Sequence, residues 1–71
     1  MSAAEKVINK FNGVRKLARE IGLSPGTVSR WTKPRSEGGS GGDIPTMNHR
    51  KILEAAERLG IEIEPSELVN V

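Results

Sequence analysis

Apolar side chains at Ala4, Val7, Ile8 and Phe11 recur at the i, i+3, i+4, i+7 spacing that gathers them on one face of a helix. Ser2 followed by Glu5 supplies a capping box for its start. Asn12-Gly13 ends it, with Asn12 placed to cap the next helix. The same spacing returns at once in Val14, Leu17, Ala18 and Ile21. Gly22 then stops the second helix, because glycine takes the left-handed conformation without strain. Ser24 caps a third helix with Pro25 in its first position, where a missing N–H costs nothing. Pro34 ends that helix near Lys33, since a proline disfavours helical geometry in the residue before it. Thr46 caps a fourth helix whose inward face is Ile52, Ala55, Ala56 and Leu59, and Gly60 stops it.

Between the third and fourth helices lies a loop, residues 36–45, with four glycines (Gly38, Gly39, Gly41, Gly42). That density predicts a mobile loop rather than a packed element. It lies within one domain, because neither flank can bury its apolar stripe alone. The tail alternates Ile61-Glu62-Ile63-Glu64, and residues 65–69 suit one further helical turn. The expectation is an all-α chain of four helices plus a terminal turn, without repeats, forming a single domain over residues 1–71.

At 71 residues and 7.7 kDa there is room for one small core. The absence of Cys excludes disulfides, iron–sulfur clusters and Cys-type zinc sites, and a single histidine, His49, excludes a poly-His metal site. No metal or cofactor is expected. No apolar run approaches the ~20 residues of a membrane helix. The first residues, Met1-Ser2-Ala3-Ala4-Glu5-Lys6, lack the basic-then-apolar pattern of a secretory signal, so the expected location is cytoplasmic. The net charge of +2 conceals an asymmetry: residues 1–35 carry eight Lys/Arg against two Glu, and residues 36–71 three against seven acids. A basic half is the footprint of a polyanion binder, and an acidic half is repelled from the same polyanion. The plainer alternative is that these cations solvate short helices, the role expected here of Lys10 and Lys16.

The segment Val14-Arg15-Lys16-Leu17-Ala18-Arg19-Glu20-Ile21-Gly22-Leu23-Ser24-Pro25-Gly26-Thr27-Val28-Ser29-Arg30-Trp31 carries the functional signal. Ala18 is small where a second helix must come close, Gly22 makes the turn, and Ile21, Leu23, Val28 and Trp31 fix the angle. These residues resemble a helix-turn-helix of the lambda-repressor/Cro type, and the likeness in helix order and length covers residues 1–60. The Gly-rich loop followed by Ile44-Pro45 and His49 is also similar to the carph-isopro domains of small phage-type regulators. The resemblance implies a helix-turn-helix at about residues 13–33, a loop at 36–45, a C-terminal helix at 46–59 and a tail at 60–71. It implies that the third helix lies in the major groove of double-stranded DNA. Val28 and Trp31 point inward, leaving Gly26, Thr27, Ser29 and Arg30 toward base edges. Arg30 either reads guanine through its planar fork or clamps a phosphate. Asn12, Gly13 and Arg15 at the start of the second helix, with Ser24, Lys33 and Arg35, are expected at phosphates. The chain departs from the family at Pro25-Gly26, where repressors often carry long polar readers; Gly26 has no side chain to read with, so DNA shape should matter more. His49 is expected to be structural.

The expected function is that of a phage or prophage Cro-like transcriptional regulator of the bacterial cytoplasm, a repressor dimeric on DNA. The alternative is a protein-binding module such as an antitoxin, gripping its partner through the acidic half. No enzyme is expected: the acids are spread over exposed faces, Ser24 and Ser29 lack a base, and the Gly-rich loop lacks the Lys-Ser/Thr ending of a nucleotide-binding loop. No small-molecule substrate or membrane partner is expected either. Ile61, Ile63, Leu68, Val69 and Val71 either complete the core or form the dimer interface, and both readings stay open.

Overall fold

The computed structural model describes residues 2–69, which form helices α1 (Ala3–Lys10), α2 (Val14–Ile21), α3 (Pro25–Arg30) and α4 (His49–Leu59). Three 3-10 turns, Arg35–Glu37, Thr46–Asn48 and Pro65–Leu68, complete the secondary structure, and no strand occurs among the described residues. The Cα radius of gyration is 11.0 Å, as expected for a folded chain of this length. Val71 lies outside the described residues.

The helix ends follow from local chemistry. At the start of α1 the Ser2 hydroxyl accepts from the Glu5 N–H at 3.2 Å, and the Glu5 carboxylate accepts from the Ser2 N–H at 3.3 Å. At the end of α2, Gly22 adopts φ 76°, and the next N–H, that of Leu23, reaches back to the Ala18 carbonyl at 2.9 Å. The expectation that Asn12 caps α2 is corrected. Asn12 itself takes a left-handed conformation (φ 67°) to turn the chain, so Gly13 stands at the cap and no side chain closes it. The third helix ends at Arg30, short of Lys33, because the N–H groups of Trp31, Thr32 and Lys33 each bond three residues back and tighten the last turn.

The fourth helix begins later than expected. Residues Thr46–Asn48 form a 3-10 turn, and α4 starts at His49 with no side-chain cap from Thr46 or Asn48. Its buried face is Ile52, Ala55 and Ala56; Leu59, expected inward, is 38% exposed. The chain reverses at Gly60, and Ile61 and Ile63 cover that end of the core instead.

The core joins Val7 and Ile8 of α1, Phe11 at its C-cap, Leu17, Ala18 and Ile21 of α2, Val28 and Trp31, Ile44, the α4 face and Leu68. Leu68, on the last turn, is 1% exposed, and that turn packs against α1. Of the tail residues, then, Leu68 is core, Ile61 and Ile63 are half-buried against it, and Val69 is exposed. Lys10 is exposed, as expected, but it is also engaged: its ammonium meets the Glu67 carboxylate at 2.7 Å and the Glu62 carbonyl at 2.8 Å. Arg58 of α4 binds Glu20 of α2 at 2.8 Å, and Arg35 binds Asp43 at the same distance. Each of these pairs joins the basic half to the acidic half, so the two halves are stitched together rather than held apart.

Leu68→Ala should cost about 2–4 kcal/mol, read as a lowered urea midpoint, because it empties a fully buried site between α1 and the tail. The backbone N–H of Glu64 and then the Lys10 ammonium hold the Glu67 carboxyl below the ordinary glutamate range, and Arg58 does the same for Glu20. Folded-state values lowered in this way give stability that is fully present above the ordinary range and lost as pH falls through the lowered values. Acid unfolding should therefore be less steep in a Glu20→Gln, Glu67→Gln double variant than in the parent chain.

Candidate nucleic-acid interface

Helix α3 packs chiefly on α2, and the buried Val28 and Trp31 fix which side of it faces the core. Ser24, Pro25, Gly26 and Arg30 are exposed in consequence, and Thr27 and Ser29 are half-buried. Ser24 and Thr27 are already engaged with each other: the Thr27 N–H donates to the Ser24 hydroxyl at 3.3 Å, and the two hydroxyls lie 2.9 Å apart. They build the helix start first, and any contact to a ligand must share those groups. The missing side chain of Gly26 faces open space, which lets a surface approach the backbone there. The Arg30 and Lys33 side chains are exposed and form no ion pair among the described residues. Arg35 differs. Its guanidinium is held by Asp43, so a phosphate there must compete with a carboxylate or join it at the edge of the fork.

At the start of α2, Asn12 and Arg15 are exposed and Gly13 is half-buried. Sequence reasoning missed Arg19, which lies on the same helix, four residues after Arg15, and is likewise exposed without an ion pair. Two cations at i, i+4 repel by a few tenths of a kcal/mol in an isolated helix, roughly 0.2–0.5. That spacing was the available signal. The lone acid of α2 and α3, Glu20, is turned to Arg58, which is the main cause of its lowered pKa; Lys16 and Arg19 add to it from a distance. The cations Arg15, Lys16, Arg19 and Arg30 therefore stand on a helix pair whose one carboxylate is neutralised from outside, and Lys33 follows just past its end.

The loop expected to be mobile is what fixes the end of α3. Ser40 N–H donates to the Arg30 carbonyl (3.1 Å), Gly41 N–H to Lys33 (2.8 Å) and Gly42 N–H to Trp31 (2.6 Å). The carbonyl of Gly42, a buried residue, then accepts from the Ala4 N–H at 3.1 Å, linking α3 to the start of α1. The glycines serve close approach: a Cβ on Gly39 would overlap the carbonyl groups of Lys33 and Arg30. Past the loop, the His49 Nε2–H donates to the Ile44 carbonyl at 2.9 Å, the structural role read for it.

Among the described residues no group of three or more His, Cys, Asp or Glu is gathered as a metal site. No helix among them is long and apolar enough to cross a membrane. Compared with family models, curated proteins and solved structures, the chain matches none.

Gly39→Ala should loosen the whole loop. Hydrogen exchange at the Ser40, Gly41 and Gly42 amides should accelerate markedly, and the melting temperature should fall, whereas Gly26→Ala should leave both near the parent values. Ser24→Ala should cost about 1 kcal/mol of stability through the lost cap, before any effect on binding is counted.

Proposed function

We propose that the chain is a sequence-specific, double-stranded-DNA-binding regulator with a Cro/lambda-repressor-like helix-turn-helix formed by α2 and α3. The observation that carries the reading is the set of unpaired cations on and just after that helix pair. Arg15, Lys16, Arg19, Arg30 and Lys33 have no ion pair among the described residues, and Glu20 is occupied by Arg58. Support also comes from α3 itself, whose outward positions carry small residues and one long cation. Such a surface fits closely into a groove while Arg30 reaches past it to a base edge.

In this reading Arg30 is the principal base reader, with Thr27, Ser29 and the Gly26 backbone beside it. Arg15, Arg19 and Lys33 position the duplex through phosphates, with Asn12, Gly13, Ser24 and Arg35 at the margin. The small outward residues make shape a larger share of recognition than in a helix with long polar readers. Occlusion of a promoter by the bound protein is the simplest mode of action and suits a phage-type repressor. Two copies on half-sites about 34 Å apart complete the reading. No catalytic step belongs to it.

The decisive experiment is duplex-DNA binding measured across salt concentrations after selection of bound sites from random sequence. With roughly 4–6 phosphate contacts per subunit, log K should fall against log salt with a slope near −0.9 per contact. Arg30→Ala should cost about 1–3 kcal/mol on the selected site and relax preference at one or two base pairs. Lys33→Ala should weaken selected and random duplexes alike. Binding that is absent at low salt, or flat across it, overturns the proposal.

A further inference from the structure

A second surface lies at the other end of the chain, on elements that pack against α1 and α2 rather than α3. Leu53 and Ala56 of α4 face Ile61 and Ile63 across an open groove of about 520 Å³, and its remaining lining is Glu57, Glu62 and Glu64. No cation lines it, and none of the three carboxylates forms an ion pair among the described residues. The wall formed by residues 61–64 is neither helix nor turn, and its last residue, Glu64, has extended dihedrals (φ −85°, ψ 146°). Within it the N–H and C=O of Ile63 take no partner among the described residues. The groove thus combines four apolar side chains with three carboxylates, and the open backbone beside it is that of Ile63: the Ile61 N–H donates to the Ala56 carbonyl, the Glu62 carbonyl accepts from Lys10, and both backbone groups of Glu64 pair with Glu67.

We propose that this groove docks an extended segment of a partner protein in which apolar residues alternate with Lys or Arg. The alternation Ile61-Glu62-Ile63-Glu64 has period two, so a segment added alongside it places its own apolar residues with Ile61 and Ile63 and its cations with Glu62 and Glu64. Opposite charges facing each other across paired strands are stabilising, and like charges are not. That rule disfavours a second copy of this chain as the occupant, because pairing two such segments with their isoleucines on the groove side sets glutamate against glutamate. It disfavours nucleic acid for the same reason. The site is independent of the DNA reading and stands or falls without it.

The test uses the full chain, isotope-labelled, titrated with a seven-residue peptide alternating Lys and Val. Amide shifts should concentrate on Leu53, Ala56 and residues 61–64. A peptide of identical composition with its lysines in one block and its valines in another should bind several-fold more weakly. Glu57→Lys with Glu62→Lys, both at exposed positions, should weaken the alternating peptide about tenfold, the scale of one cross-strand pair at Glu62 and one charge across the groove at Glu57 turned to repulsion, with unchanged melting. Equal binding of the two peptides would reduce the effect to net charge and overturn the proposal. Shifts centred on other residues, or undiminished binding to the charge-reversed chain, would overturn it as well. Shifts at Ile61 and Ile63 that grow with protein concentration alone would assign the groove to a second copy instead.

Discussion

The carbonyl groups at the end of α3 have to find donors in a place where the helix cannot continue. Pro34 has no N–H to give and pushes Lys33 away from helical geometry. Buried or half-buried backbone acceptors left without partners cost as much as lost hydrogen bonds, so a six-residue helix with an unsatisfied end has little to hold it. The solution is a return of the chain: Ser40, Gly41 and Gly42 donate to Arg30, Lys33 and Trp31, and Gly42 passes the connection on to Ala4. This backbone network joins the packing of Val28 and Trp31 in holding α3 in place.

A second closure operates at the far side of the core. Leu68 fills the space beside α1, and Lys10 fastens the tail by reaching both Glu67 and the Glu62 carbonyl. Together with Glu20–Arg58, these contacts turn a charge asymmetry along the sequence into attraction within the fold. Exposed pairs of this kind contribute little individually, roughly 0–1 kcal/mol, so the apolar contact of Leu68 carries most of the closure. The Glu20–Arg58 pair does something else: it engages the one acid of α2, while Glu57, Glu62 and Glu64 line the groove beside residues 61–64 without an ion pair among the described residues.

Much of this was legible from residue order alone. The stripe Val7, Ile8, Phe11 and the stripe Leu17, Ala18, Ile21 each define a buried face, and the Ser2, Gly22, Ser24 and Pro25 signals mark ends with a direct hydrogen-bonding or steric cause. The loop was not legible, because Gly-Gly-Ser-Gly-Gly has the same composition whether its amides bond to water or to α3. Gly39 shows the difference: its lack of a Cβ serves contact with two carbonyls, not freedom of motion. Thr46 misled for a related reason, since a good capping residue also suits a 3-10 turn that precedes a helix. Lys10 and Leu68 depend on contacts between opposite ends of the sequence, which no local pattern encodes. On the outer side of α3 the exposed positions followed directly from the burial of Val28 and Trp31, but the mutual engagement of Ser24 and Thr27 did not.

The position of Leu68 also sets the timetable of folding during synthesis. Local pairs such as α2 with α3 can assemble as soon as both have left the ribosome. The cover that the last turn gives α1 cannot form until residue 68 emerges, which at about 5–20 residues per second takes several seconds after α1 itself. A chain interrupted anywhere before that residue presents an open hydrophobic seam along its first helix. The side chain that completes the core is thus among the last to be made.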